Sequence, residues 1–220
     1  VIPPLVNGDR LTRDEFERRY NAMPHVKKAE LIEGVVYMPS PVRHTVHSKP
    51  HSILNGWLVY YASKTHGINE FGDNGTVRLD NDNEPQPDLF LMLPVQLGGK
   101  AKVDEDDYIT GPPALVCEVS ASSVSIDLHL KLNAYRRNGV QEYLVWRTQD
   151  AAVDWFSLEA GNFVQLTHDS DGILRSRIFP GLWLKPASLI AADLPAIFAL
   201  IDAGTAAPEH AEFVKRLAAV

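Results

Sequence analysis

Two carboxylates stand where apolar strands would exclude them. Ala114, Leu115, Val116, Cys117, Glu118 and Val119 read as a β-run broken by one glutamate. Thirty residues before Glu118, Asp88 follows Pro87 and opens a second apolar run, Leu89 to Leu93. A carboxylate in an apolar strand is costly to bury unless a cation compensates it. Lys131 follows on a segment of helical character, and no cysteine cluster accompanies the acids. Oxygen donors of this kind suit a hard divalent cation such as Mg²⁺ or Mn²⁺. The chemistry open to them is metal-assisted hydrolysis.

The elements must bring these groups together. No helix is evident between the two apolar runs, so they can be antiparallel neighbours. The start of one then lies beside the end of the other, and Asp88 and Glu118 share an edge. Mg²⁺ retains water in its octahedron, so two carboxylates and one main-chain oxygen suffice, and the carbonyl of Val119 is the natural third ligand. Asp127 sits one turn before Lys131. That spacing fits a solvated i,i+4 ion pair as well as a lysine reaching back over the strand ends. Asp88 alone could be a turn residue and Glu118 a ladder residue facing solvent.

Along the chain, Thr12 and Glu15 have the form of a capping box ahead of a helix bearing Phe16 and Tyr20. Residues 28–38 read as a hairpin around Gly34, and 52–66 as a helix with Pro50 in its first turn and Ser48 as cap. Short strands are expected near 68–72, 76–80 and 87–93, followed by a polar, glycine-rich connection from Pro94 to Pro113. The strand at 114–119, a helix from Asp127 to Asn138 capped by Gly139, and a strand from Glu142 to Arg147 form a crossover unit. Further β-runs fill 151–185, and helices near 193–202 and after Pro208 close the sequence.

The chain has 220 residues and a formal net charge of −7, the size of one domain with terminal decorations. That charge argues against a nucleic-acid partner, whose binders usually carry a basic footprint. Residues 1–60, however, hold eight Lys and Arg against six Asp and Glu, with His25, His44, His47 and His51 besides. The single Cys117 excludes an intramolecular disulfide and makes a reducing cytoplasm the default. No apolar run reaches membrane-spanning length, and the first residues lack the plan of a signal peptide. Gly98, Gly99 and Lys100 do not form a phosphate loop, and Ser120, Ser122 and Ser123 suggest a helix entry rather than a nucleophile. His44, His47 and His51 have a spacing that could present zinc ligands on one helix face, with Pro50 interrupting the register.

Taken in order, the residues form a familiar pattern. Glu30, Leu31, Ile32, Glu33 and Gly34 come first, then Pro39, Ser40, Pro41 and His44, and then Gln86, Pro87, Asp88 and Leu89. Pro113 through Ser120 follow, with Ser122, Asp127, Lys131, Tyr135, Gly139, Val140, Glu142 and Tyr143. The pattern resembles the Uma-two family, bacterial proteins described as putative restriction endonucleases within the PD-(D/E)XK nuclease superfamily. The resemblance implies an α/β (α+β) fold with a restriction-endonuclease-like core, a central mixed β-sheet flanked by helices, over residues 25–190. Helical extensions would occupy 1–24 and 191–220. It implies metal-binding acids at Asp88 and Glu118, a helix-borne lysine at Lys131 and an early acid at Glu30. His44, Gln86 and Asp127 would be accessory. It further implies Mg²⁺ or Mn²⁺, DNA as substrate, and a homodimer. Ser120 stands where the wider superfamily carries lysine, and Pro50 interrupts the helix after His44. A nuclease fold that binds DNA or protein without cutting is the alternative.

Overall fold

Alternation along two short strands decides where the site is built. A computed structural model describes residues 1–38 and 43–220, so Pro39, Ser40 and Pro41 of the family pattern lie outside the described residues. Helix α1 (Arg13–Asn21) precedes the hairpin of β1 (Glu30–Ile32) and β2 (Val35–Tyr37). Glu33 and Gly34 join these strands with φ of 51° and 72°, the left-handed pair that a tight hairpin turn requires. A π-helical turn (His44–Ser48) runs straight into α2 (Lys49–Lys64). Then come β3 (Phe71–Asp73), β4 (Val77–Arg78), β5 (Leu89–Leu91), β6 (Lys102–Val103), β7 (Ile109–Thr110) and β8 (Leu115–Ser120). A second π-helical segment (Ile126–Lys131) continues as α3 (Leu132–Asn138), which leads to β9 (Glu142–Arg147), β10 (Ala152–Glu159) and β11 (Asn162–Gln165). The chain ends with β12 (Leu174–Arg175), β13 (Trp183–Leu184), α4 (Pro186–Ile190), α5 (Leu194–Thr205) and α6 (Pro208–Leu217).

Six strands form the central sheet in the order β11-β10-β9-β8-β5-β3. Only β8 and β9 are parallel, joined by the crossover through α3, so the sheet is mixed. Gly139, at φ 83°, ends α3 as the sequence predicts. Successive strand residues point to opposite faces. Leu115, Cys117, Val119, Leu144 and Trp146 join the main core with Trp57, Trp155, Phe179 and the apolar sides of α2, α5 and α6. Val116, Tyr143 and Val145 turn the other way and pack with Tyr135 and Val140 beneath α3. Phe16 of α1 packs with Leu31 and Val36 of the hairpin. Among the described residues, no helix is long and apolar enough to cross a membrane.

Some local expectations need correction. Thr12 is the first residue before α1, but its side chain makes no capping hydrogen bond. Glu15 is held by Arg18 and Arg19 at 2.6 to 2.8 Å instead, since charged guanidinium donors outbid a lone backbone N–H. Ser48 is not a cap, because the helical path begins at His44. The segment from Pro94 to Pro113 is not a bare connection. It contains β6 and β7, which complete a small three-stranded sheet with β4. Gly99 is required there for close approach, since a β-carbon would lie 1.7 Å from the carbonyl oxygen of Leu93.

Candidate active site

The pairing of β5 with β8 sets Leu89 against Cys117. Carried one residue further, the same register sets Asp88 across from Glu118, on the face covered by the helical crossover. The Asp88 N–H lies 3.4 Å from Glu118 Oε2, and the Val119 N–H donates to Asp88 Oδ2 at 2.7 Å. Lys131 descends onto this pair from the end of the second π-helical segment. Its Nζ lies 3.0 Å from Glu118 Oε1 and 2.9 Å from Glu30 Oε1. The Tyr135 hydroxyl, one turn on, donates to Glu118 Oε1 at 3.1 Å.

Sequence spacing left the Lys131–Asp127 pair open between a solvated and an inward position. Both residues are buried, with Nζ 3.9 Å from Asp127 Oδ1. Ser123 donates to Asp127 Oδ2 at 2.5 Å, and the Asp127 carbonyl accepts from the Tyr143 hydroxyl. Glu118 is likewise buried rather than facing solvent. Glu30 accepts from the main-chain N–H of Gln86 at 2.8 Å as well as from Lys131. The Gln86 side chain turns away, toward Thr76. Thus Asp88, Glu118, Val119, Lys131, Glu30 and Asp127 converge on one cavity of about 1110 Å³.

His44 does not join them. It is exposed and does not line the cavity, whereas His47 and His51 do. His47 Nε2 is 3.4 Å from Asp88 Oδ2, and His51 Nε2 is 3.1 Å from the Asp88 carbonyl oxygen. Their rings stack with centroids 6.1 Å apart. The expected break at Pro50 is absent, because the Val46 carbonyl that its missing N–H leaves free accepts from the Thr148 hydroxyl instead. The i,i+4 spacing therefore carries through, a signal already present in the sequence. Lys28, with Nζ 3.8 Å from Asp88 Oδ1, had no such signal. It lies just ahead of the hairpin, which docks through the Leu31–Glu84 bridge, and Asn74 Oδ1 accepts from its Nζ at 3.2 Å. Tyr135 stood in the sequence only as a member of the family pattern, four residues after Lys131.

The family model described as "Uma2: Putative restriction endonuclease" matches residues 13–187. The chain belongs to the Uma2 family. Its fold is also that of a crystal structure described as a putative nuclease belonging to DUF820 from Anabaena variabilis. That structure is 15% identical, with a TM-score of 0.56 over 79% of this chain and 96% of the other. No curated protein matches the chain.

The electrostatics of this Uma2 site are those of several acids crowded around one buried ammonium. Burial opposes ionisation of Asp88, but the His47 hydrogen bond, the Lys28 charge and the Val119 N–H outweigh it and hold the carboxyl at about 2. Glu118 behaves oppositely. Burial pushes it up to about 8, because the Lys131 ammonium cannot offset burial together with Asp88, Asp127 and Glu30. Burial also raises Asp127. Burial disfavours the Lys131 charge too, yet Glu118, Glu30 and Asp127 hold the ammonium well above its ordinary range. Four acids thus face one fully buried cation. Among the described residues, no group of three or more His, Cys, Asp or Glu side chains converges as a metal cage, so the histidine-rich zinc arrangement is not formed there. The donor set fits a cation that takes two carboxylates, a main-chain oxygen and water.

Proposed function

We propose that this Uma2 protein is a divalent-cation-dependent endonuclease that hydrolyses DNA phosphodiester bonds by attack of water. The observation that carries the reading is the meeting of Asp88, Glu118 and Lys131 at the head of one cleft, where burial and crowded acids raise Glu118. Asp88, Glu118 and the carbonyl of Val119 would hold Mg²⁺ or Mn²⁺. Extended two pairs beyond Leu89 and Cys117, the strand register sets Pro87 across from Val119, and proline has no N–H to occupy that carbonyl. When bound, the cation supplies Lewis acidity and a lower pKa for water. The Lys131 ammonium, steered by Glu30 and Asp127, would meet the charge that develops on the phosphate oxygens. Lys28 and Arg43 line the same cavity and offer phosphate contacts that carry no sequence information.

The test is cleavage of plasmid and single-stranded DNA with Mg²⁺ or Mn²⁺. Wild type should cut, and Asp88→Asn and Glu118→Gln should fold normally and lose the activity. Cleavage that survives Glu118→Gln would refute the assignment. The second reading, a nuclease fold that binds DNA or protein without cutting, is favoured by the net charge of −7 and by Ser120 in the superfamily's lysine position. Calorimetric titration separates the two: an inert relative binds no Mg²⁺ or Mn²⁺ in a manner that depends on Asp88.

A further inference from the structure

We infer that His47 and His51 form a clamp that positions Asp88, so that the carboxylate presents Oδ1 alone to the cation. The inference rests on the reading of Asp88 as a cation ligand. Asp88 is gripped at two points from consecutive turns of one helical path. His51 reaches its main-chain carbonyl at 3.1 Å, and His47 reaches Oδ2 at 3.4 Å. An ionised carboxylate only accepts hydrogen bonds, so the clamp requires the proton on Nε2 of His47. The same Oδ2 already accepts from the Val119 N–H at 2.7 Å. Among the described residues, Oδ1 faces only the Lys28 ammonium, at 3.8 Å on a partly exposed side chain. One oxygen is therefore committed to the protein and the other to the cleft.

The clamp is anchored from behind. Pro50 offers no N–H to the turn beneath it, and the carbonyl of Val46, four residues earlier, accepts from the Thr148 hydroxyl at 2.7 Å. The Thr148 N–H in turn donates to the Ser120 carbonyl, at 2.9 Å. The turn that carries His47 is thus tied to the end of the strand that carries Glu118. Within that turn the π-helical path and the near-parallel rings, 11° apart, set one imidazole above the other. Histidines that merely decorated a surface would not require this support.

Partners that orient a ligating carboxylate commonly change metal affinity by about 10- to 100-fold when removed. The experiment measures Mn²⁺ binding to the full chain by calorimetry, with circular dichroism to confirm folding of each variant. Wild type should bind, Asp88→Asn should not, and His47→Ala should weaken binding about 10- to 100-fold. His47→Gln, which keeps a donor on a side chain of similar reach, should recover most of that loss. Electron paramagnetic resonance of the Mn²⁺ complex should show no nitrogen coupling that depends on His47. If His47→Ala binds like wild type while Asp88→Asn does not, the clamp is wrong and the proposed function stands. If His47→Gln is as weak as His47→Ala, or if a His47 nitrogen couples to Mn²⁺, His47 acts otherwise and the clamp is wrong. If wild type binds no Mn²⁺, or Asp88→Asn binds equally well, both readings fail.

Discussion

Replacing Glu118 by glutamine should make the metal-free protein more stable, increasingly so as pH rises. The ordinary value for this carboxyl is 4.5, and burial carries it to about 8. Between those values the folded chain keeps a proton that the unfolded chain has released. Protons are then taken up on folding, so wild-type stability falls with rising pH, by up to about 1.4 kcal/mol per pH unit for one group. Over the window of roughly 3.5 pH units this comes to about 5 kcal/mol. The amide has no proton to lose and still offers Lys131 and Tyr135 an oxygen. Urea unfolding of both proteins in chelator, from pH 5 to pH 9, measures the difference. Glu84 and Glu142 also titrate high, at about 9 and about 7, but they are common to both proteins and cancel. The stability of E118Q relative to wild type should climb by about 3 to 5 kcal/mol across the range, and added Mn²⁺ should close the gap by stabilising wild type alone. A gap that stays flat with pH would refute the charge imbalance on which the candidate site rests.

Two further outcomes follow from the packing. Lys131→Met leaves Glu118, Glu30 and Asp127 buried without their cation, which should cost about 3 to 5 kcal/mol and lower the melting temperature by roughly 10 °C; an unchanged melt would show that the acids simply take up protons. Gly99→Ala drives a β-carbon against the Leu93 carbonyl at 1.7 Å, and should lower the urea midpoint by the equivalent of about 3 kcal/mol or more, without altering Mn²⁺ affinity in whatever fraction remains folded.

The crossover from Leu115 to Arg147 was legible because each of its parts carries its own signal: an unbroken apolar run, a glycine free to adopt positive φ at the helix end, and a second run beyond it. The adjacency of β5 and β8 followed from the lack of a helix between them. Strands of two residues, such as β4, β6 and β7, are too short for a period of two to register, and β4 joins the β6–β7 pair from earlier in the chain. The capping box at Thr12 failed for an equally local reason, since Arg18 and Arg19 compete for Glu15. At the site, Asp88, Glu118 and Lys131 were readable by residue type. Lys28 is brought in by docking of the hairpin, whereas His47 and His51 were legible as an i,i+4 pair, though not their aim at Asp88. Pro50 was misread because the acceptor it leaves free, the Val46 carbonyl, is taken by Thr148 from far along the chain, which no local pattern reveals.

The ammonium of Lys131 hangs from a layer above the sheet, not from the strand that bears Glu118. A side chain on the strand would inherit its location from the pleat alone. Here the gap between the two is filled by Val116, Tyr135, Val140, Tyr143 and Val145, and their combined volume acts as the spacer that sets its height. Trimming or swelling Val116, Val140 or Val145 shifts the cation relative to the acids, so a substitution without a polar atom, beneath the site rather than in it, can detune the chemistry while the chain still folds.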